Sequence, residues 1–306
     1  MSVIAFDTSN YTTSIAYFDQ QQAINCSKLL PVREGELGLR QSDAVFQHIK
    51  GLPELSGRLF SDIGAVNISA VGVSTQPRKV EGSYMPCFMV GYSHAKLLAD
   101  AYKVPLFTFS HQDGHIAAAA WSAGRLDLLD KPHLAWHLSG GTTELLYVEP
   151  EGTSFHCEKI GGTTDISAGQ LIDRTGQLLQ LPFPSGRHLD QLSQETENKD
   201  FFKVKCNKAE FSFSGMQNKM QQYFDKTNDP AATAAFVLRS IAKAVSLATT
   251  NALEEYKGLP VIFSGGVASN AMLRQILKPL NPIFAEPKYS TDNAMGVAIL
   301  THRAME

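Results

Sequence analysis

Short apolar, β-prone runs along this chain alternate with stretches of apolar residues at helical spacing, and that alternation predicts the architecture. SVIAF is apolar and β-prone, DTSNYTT is a polar turn and SIAYF returns, so residues 2–18 predict a hairpin. Over 41–61, Val45, Ile49, Leu52, Leu55 and Leu59 fall near helical spacing. VNISAVGV (66–73) predicts a buried strand, 88–102 a helix leading into the short strand VPLFTF, and a further helix starts near Ser110. Strands alternating with helices imply an α/β fold.

The second half repeats the opening plan. HLAWHLSGGTTELLYVE is an apolar strand, a glycine and hydroxyl turn, and a returning strand; SNYTTS beside SGGTTE makes this a duplicated hairpin. In 162–186, Ile166, Leu171, Ile172, Leu178 and Leu179 form an apolar helix face, Asp165 and Asp173 lie on its polar side, and PFPSG closes the element. Residues 186–230 are polar, with Lys199, Lys203, Lys205, Lys208, Lys219 and Lys226, and predict a helical insertion. Residues 231–257 predict a long helix, LPVIFSGGVASNAMLRQIL a strand, glycine turn and helix, and the polar turn YSTDNA precedes a terminal helix.

Composition narrows the classes. With 306 residues, 43% hydrophobic and 19% charged, the chain can form two globular lobes. A formal charge of -3 gives no global positive field, so any RNA contact must come from a local patch or a partner subunit. Cys26, Cys87, Cys157 and Cys206 are scattered, which argues against a zinc ribbon or disulfide framework and suits a reducing compartment. The opening MSVIAFDTSN has a strand pattern, so no signal peptide is expected. No apolar run approaches the ~20 residues of a membrane span, so a soluble, cytoplasmic protein with no membrane partner is expected.

Four segments carry candidate chemistry. In HQDGH, His111 and His115 are four apart, so on a helix both imidazoles share one face and can grip one ion. The pair alone fits a structural or solvated role equally well, and Gly114 is a weak helix former, so a third ligand is needed. Asp292 is the best candidate; nitrogen and oxygen donors suit iron or zinc without choosing between them. The opening hairpin offers Asp7, Thr8, Ser9 and Thr12 as phosphate contacts, although its hydroxyls also suit a plain turn. In SGGTTE, adjacent glycines let backbone N–H groups approach a phosphate. FSGGVASN runs from a strand through a double glycine into a helix, where Asn270 could read polar edges, and Asp173 could accept ribose hydroxyls or serve only as a cap or ion pair.

Taken in order, these segments resemble the TsaD family, the tRNA threonylcarbamoyladenosine synthases formerly called glycoproteases or O-sialoglycoprotein endopeptidases. The likeness rests on the DTS hairpin, HQDGH for H-x-x-G-H and SGGTTEL for SGGHTxL. AGQLIDRTGQLLQLPFPSG, FSFSGMQ, GGVASNAMLR and STDNAMGVA complete it. The resemblance implies two ribonuclease-H-like lobes of the actin/sugar-kinase/Hsp70 superfamily about a central nucleotide cleft. The lobes are expected over 1–110 and 111–306, with an insertion near 186–230 and the last helix crossing back. It implies one divalent ion, iron or zinc, on His111, His115 and Asp292. Contacts to ATP or an acyl-adenylate are implied for His137, Leu138, Ser139, Gly140, Gly141, Asp173, Gly186 and Asn270. The implied activity moves a threonylcarbamoyl group from threonylcarbamoyl-adenylate to N6 of the adenosine beside the tRNA anticodon, with TsaB-like and TsaE-like partners or a homodimer.

The chain departs from the family pattern on one side. E-T-S-C-D-E-T becomes D-T-S-N-Y-T-T, so Tyr11 and Thr12 replace two acids, and Thr142 replaces a histidine. QPRKVEGSYMPC stands for a neutral glycine-rich loop and adds Arg78 and Lys79 as candidate anion contacts. These changes leave two alternatives open: a carbamoyl-type transferase with an anionic acceptor, and a non-catalytic nucleotide-binding scaffold subunit of a tRNA-modification complex.

Overall fold

A computed structural model describes residues 1–9, 11–31 and 39–306; Asn10 of the first turn lies outside them. The chain forms two compact units. Unit one comprises Met1–Leu129, Pro150–Phe155 and Asp292–Glu306. Its sheet opens with β1 (Ser2–Thr8), β2 (Thr12–Phe18) and β3 (Ala23–Leu29), an antiparallel meander that pairs Val3 with Phe18 and Thr12 with Leu29. β3 extends the predicted hairpin by a strand of mixed polar and apolar residues in which Cys26 alone is buried, so no apolar pattern marked it. After α1 (Gln41–Ile63), β4 (Ile68–Gln76) pairs in parallel with the other edge of β1. Helix α2 (Phe88–Tyr102) leads to β5 (Leu106–Ser110), parallel to β4, and α3 (His111–Ser122) follows directly. The strand order is β3-β2-β1-β4-β5.

Both faces of this sheet are covered. Val3 to Thr8 are buried without a break, as expected of a central strand between helices. On α1, Leu52, Leu55 and Leu59 are at most 1% exposed, and each such burial contributes about 1.5–3 kcal/mol. Ile49 points outward and is half exposed, so the buried stripe of α1 is narrower than the sequence periodicity suggested. The terminal helix, Met295–Arg303, also belongs to unit one and packs on α3, β1 and β4. Helix α3 also lies in unit one, where it packs against that terminal helix and β4.

Unit two comprises Asp130–Glu149 and His156–Thr291. It holds β6 (His133–Leu138), most of β7 (Thr143–Glu151) and of β8 (Ser154–Thr163), then α4 (Ala168–Leu178) and α5 (Gly186–Leu192). Short strands β9 (Cys206–Asn207) and β10 (Glu210–Phe211) precede α6 (Ser214–Thr227) and α7 (Pro230–Glu255). β11 (Val261–Ser264), α8 (Ala271–Leu277) and β12 (Ile283–Phe284) complete the unit, so the terminal helix is α9. The sheet order is β12-β11-β6-β7-β8-β10-β9. β11 runs parallel to β6 with Ser264 opposite His137, which brings the C-terminal ends of the two strands side by side.

Helix α7 is the axis of this unit. Asp229 caps it by accepting from the Ala232 N–H at 3.0 Å, and Pro230 stands at the first helical position, where its missing N–H costs nothing. By length and composition α7 could span a membrane, yet 72% of its most apolar stretch is buried. Trp136 is fully buried in the same core and donates its indole N–H to Thr249 at 2.9 Å, so even the polar atom there is satisfied. The polar segment 186–230 is only partly helical: between α5 and α6 the chain lays β9 and β10 along the edge of the sheet, beside β8. Two-residue strands are too short to leave a periodic signature.

Candidate functional site

The histidine pair is built by the first turn of α3. Ser110 ends β5 and caps the helix: its hydroxyl accepts from the Asp113 N–H at 3.1 Å, and Asp113 accepts from the Ser110 N–H at 2.9 Å. Gly114, weak by helix propensity, serves a close approach. A Cβ there would lie 3.1 Å from Val297, and one on Gly296 would lie 1.8 Å from the Gly114 carbonyl oxygen. The backbone overlap at Gly296 requires a glycine for α9 to cross α3 this closely, and a side chain at Gly114 would press on Val297. The turn before α9 is tied to the sheet by the Ala294 N–H, which donates to Ser14 Oγ at 2.9 Å and to Asn25 Oδ1 at 3.2 Å. Together these contacts deliver Asp292 to the histidines.

The three predicted ligands converge. His111 Nε2 lies 2.9 Å from His115 Nε2, and Asp292 Oδ1 lies 3.5 Å and 3.3 Å from those two nitrogens. Donors bound at ~2.0–2.1 Å around one ion sit about 3 Å apart, so the set fits a single zinc-sized or iron-sized ion. No other such cluster occurs among the described residues.

Charge is concentrated here. Burial alone would push the His111 imidazole down, but Asp7 and Asp292 carboxylates at hydrogen-bonding distance raise it to about 10. Burial would raise Asp292, yet hydrogen bonds and charge from His111 and His115 hold it well below the usual carboxylate range. Asp7 is likewise lowered, by His111, against the cost of its burial.

Asp7, Thr8, Ser9 and Thr12 of the opening hairpin are buried. Asp7 is 1% exposed; its Oδ2 lies 2.7 Å from His111 Nδ1, and its Oδ1 accepts from the Ser9 N–H at 3.0 Å. Thr8 donates to the Cys87 carbonyl at 2.9 Å and accepts from the Gly91 N–H at 3.0 Å, which fastens β1 to α2. Ser9 and Thr12 are also buried, while Tyr11 is 41% exposed. Lys79 donates to the Phe155 carbonyl at 3.4 Å and lies 3.7 Å from Glu151, and the Arg78 backbone N–H donates to Ser83 Oγ at 3.2 Å.

The remaining predicted residues gather in unit two, around the ends of β6 and β11. His137 and Leu138 end β6, and the turn closes by Ser139 N–H to the Thr142 carbonyl at 2.8 Å and Thr142 N–H to Ser139 Oγ at 3.0 Å. Gly140 and Gly141 are exposed with open space where a Cβ would stand. The N-terminus of α4 sits directly behind: Ser167 donates to the Gly140 carbonyl, Ala168 N–H donates to Thr143 Oγ1 at 2.8 Å, and Gly169 packs on the 139–140 backbone. Gly265, at φ +91, lies against the Leu138 carbonyl, where a Cβ would stand 2.2 Å away.

Asp173 and Gly186 come together, because Asp173 Oδ1 accepts from the Ser185 N–H at 2.9 Å; burial raises the Asp173 carboxyl. Asn270 is buried and committed within the protein. Its Oδ1 caps α8 through the Leu273 N–H at 2.9 Å, and its Nδ2 donates to Asp190 Oδ1 at 2.8 Å. Asp190 escaped the sequence reading; only its place one turn into α5, four residues after Gly186, marks it. Asp165 lies ahead of α4 rather than on its face, and gathers the N–H groups of Phe213 at 2.8 Å and Ser214 at 3.1 Å along with the Ser212 hydroxyl.

Two open sheets, each begun by a hairpin and backed by helices, place this chain in the actin/sugar-kinase/Hsp70 class of α/β proteins. Solved structures agree: full-length HypF superimposes with a TM-score of 0.64 at 13% identity, covering 99% of this chain and 47% of that one. The ROK hexokinase of Thermus thermophilus gives 0.56 at 14% identity with both chains fully covered. Within that class the chain belongs to TsaD, the family described as tRNA N6-adenosine threonylcarbamoyltransferase, which matches residues 38–299. Curated relatives of that name include a Lactococcus lactis protein, 30% identical over 90% of this chain and 82% of its own length. A Staphylococcus aureus protein is 30% identical over 98% and 90%, and one from Mycoplasmopsis synoviae 25% identical over 100% and 99%.

Proposed function

We propose that this chain is a threonylcarbamoyl transferase that moves the threonylcarbamoyl group from threonylcarbamoyl-adenylate to N6 of the adenosine beside the tRNA anticodon. The observation that carries the reading is the retention, within a TsaD chain, of three converging ligand atoms all within 4.8 Å of one another. His111, His115 and Asp292 would hold one iron or zinc ion. When bound, such an ion supplies Lewis acidity toward a carbonyl or phosphoryl oxygen. The exposed backbone of Gly140 and Gly141 would receive the phosphate of ATP or the acyl-adenylate, close to the N-terminus of α4. Asp173, Gly186 and Asn270 would line the nucleoside side, with Asp190 holding Asn270 in place.

The acceptor, the cytoplasmic location and assembly with TsaB-like and TsaE-like partners or as a homodimer belong to the same proposal. The anionic-acceptor alternative leans on Arg78 and Lys79, and Lys79 is already engaged by Glu151 and the Phe155 carbonyl. A scaffold would have no use for a complete ligand triad.

The test is direct. Purified chain, supplied with threonylcarbamoyl-adenylate carrying labelled threonine and with tRNA bearing adenosine beside the anticodon, should label that tRNA. His115→Ala should abolish the transfer. Absence of label with metal loaded and partner proteins added would overturn the proposal.

A further inference from the structure

We propose that Asp7 is a positioning residue that fixes the tautomer and ring orientation of His111, so that only Nε2 of that histidine is presented to an ion. The inference rests on the reading of His111, His115 and Asp292 as metal ligands, and concerns a residue outside the stretch matched to the family.

Three observations carry it. First, the two ring nitrogens of His111 face different partners: Nδ1 meets Asp7 Oδ2 at 2.7 Å, while Nε2 meets His115 Nε2 at 2.9 Å and Asp292 Oδ1 at 3.5 Å. A carboxylate has no proton to give, so Nδ1 carries a hydrogen, and in the neutral form that can bind an ion Nε2 is left with its lone pair toward the cluster. Second, Asp7 is itself held rigidly. It is 1% exposed, its other oxygen accepts the Ser9 N–H at 3.0 Å, and β1, which carries it, is paired on both edges. That rigidity suits a residue that orients a ligand from behind, as outer partners of metal-bound histidines do. Third, charges match. Asp7 and Asp292 together contribute two negative charges beside two imidazoles, which balances one divalent ion in a largely buried site where unpaired charge is costly.

The test is zinc titration of the apo chain and of its Asp7→Asn and Asp7→Ala variants, with histidine 15N spectra of the wild type before and after loading. The expected result is one zinc per wild-type chain, a retained Nδ1–H on His111 with Nε2 carrying the ligation shift, and a roughly 10–100-fold loss of zinc affinity in Asp7→Asn. The wild-type spectra need no variant, so a failure of either variant to fold leaves the tautomer measurement decisive. Ligation of His111 through Nδ1, or equal zinc affinity in wild type and a folded Asp7→Asn, would overturn the role of Asp7 alone and spare the metal site. A wild-type chain that takes up no zinc and no iron(II) would overturn the metal reading, and the role of Asp7 with it.

Discussion

The two candidate sites are held by opposite means. In unit one, largely buried acidic and imidazole side chains meet across β1, α3 and the turn before α9, held by contacts of 2.7–3.5 Å. In unit two, backbone forms the surface: open glycines at 140 and 141, with packed glycines at 169 and 265 behind them. Electrostatic pairing fixes the first arrangement and steric closeness the second. Substitutions at the first should therefore be read in ion binding, and at the second in packing.

The largest effect is expected at Asp292. Asp292→Ala removes the only carboxylate among the three converging donors, so metal content should fall from one ion per chain to none by elemental analysis. Gly296→Ala should do nearly as much without touching a ligand. Its Cβ would collide with the Gly114 carbonyl and push α9 off α3, so metal affinity and thermal stability should fall together. Full metal binding by a folded Gly296→Ala protein would show that the helix crossing does not place Asp292.

Next comes a contrast between two glycines of unit two. Gly265→Ala meets both a positive φ of +91 and a carbonyl oxygen 2.2 Å away, and should cost on the order of 3 kcal/mol. That corresponds to a melting temperature lower by roughly 6–12 °C. Gly140→Ala meets nothing within 4 Å, so its melting temperature should barely move while adenylate binding weakens. Equal thermal losses at the two positions would refute the division into packed and open glycines.

What was legible in the sequence follows the same division. HQDGH announced a helix face because the i, i+4 spacing is local, and the sheet cores followed from continuous apolar, β-prone runs. Asp292 could be proposed from its place in the polar turn YSTDNA before the terminal helix, although nothing local ties a carboxylate near the end of the chain to residues 111 and 115. The pairing of Asp7 with His111, 104 residues away, was not legible, because its nearest neighbours in sequence are hydroxyls that suggest a phosphate turn. Gly114 counted against a helix by propensity, yet tertiary packing on Val297 sets its identity. β3, β9 and β10 escaped because edge strands with polar or very short sequences have little apolar periodicity.

A smaller effect should appear in acid. Burial works against the Asp165 carboxylate, but the Ser212 hydroxyl and the N–H groups of Phe213 and Ser214 bring it well below its ordinary range. A carboxylate lowered on folding stabilises fully above its unfolded value, about 4, and loses that contribution as pH falls through the folded value. The melting-temperature gap between wild type and Asp165→Asn should thus stay level from pH 7 to 5 and narrow below pH 4. A gap that widens in acid would remove Asp165 from the joint between α4 and α6.

The smallest expected effect tests how the backbone site is aimed. Ser167 does two things with one hydroxyl: it accepts from the Gln170 N–H at 3.1 Å as the cap of α4, and it donates to the Gly140 carbonyl. Ser167→Ala should cost about 1 kcal/mol for the cap, because one helix N–H loses its acceptor. Ser167→Asp would keep an acceptor for the cap but offer the Gly140 carbonyl no proton and set a negative charge beside the proposed phosphate. If the second bond aims the 139–141 turn, Ser167→Asp should recover stability over Ser167→Ala while binding adenylate more weakly than either Ser167→Ala or wild type. Recovery of both stability and adenylate binding in Ser167→Asp would mean that the cap alone matters and that Gly140 is held by its own turn.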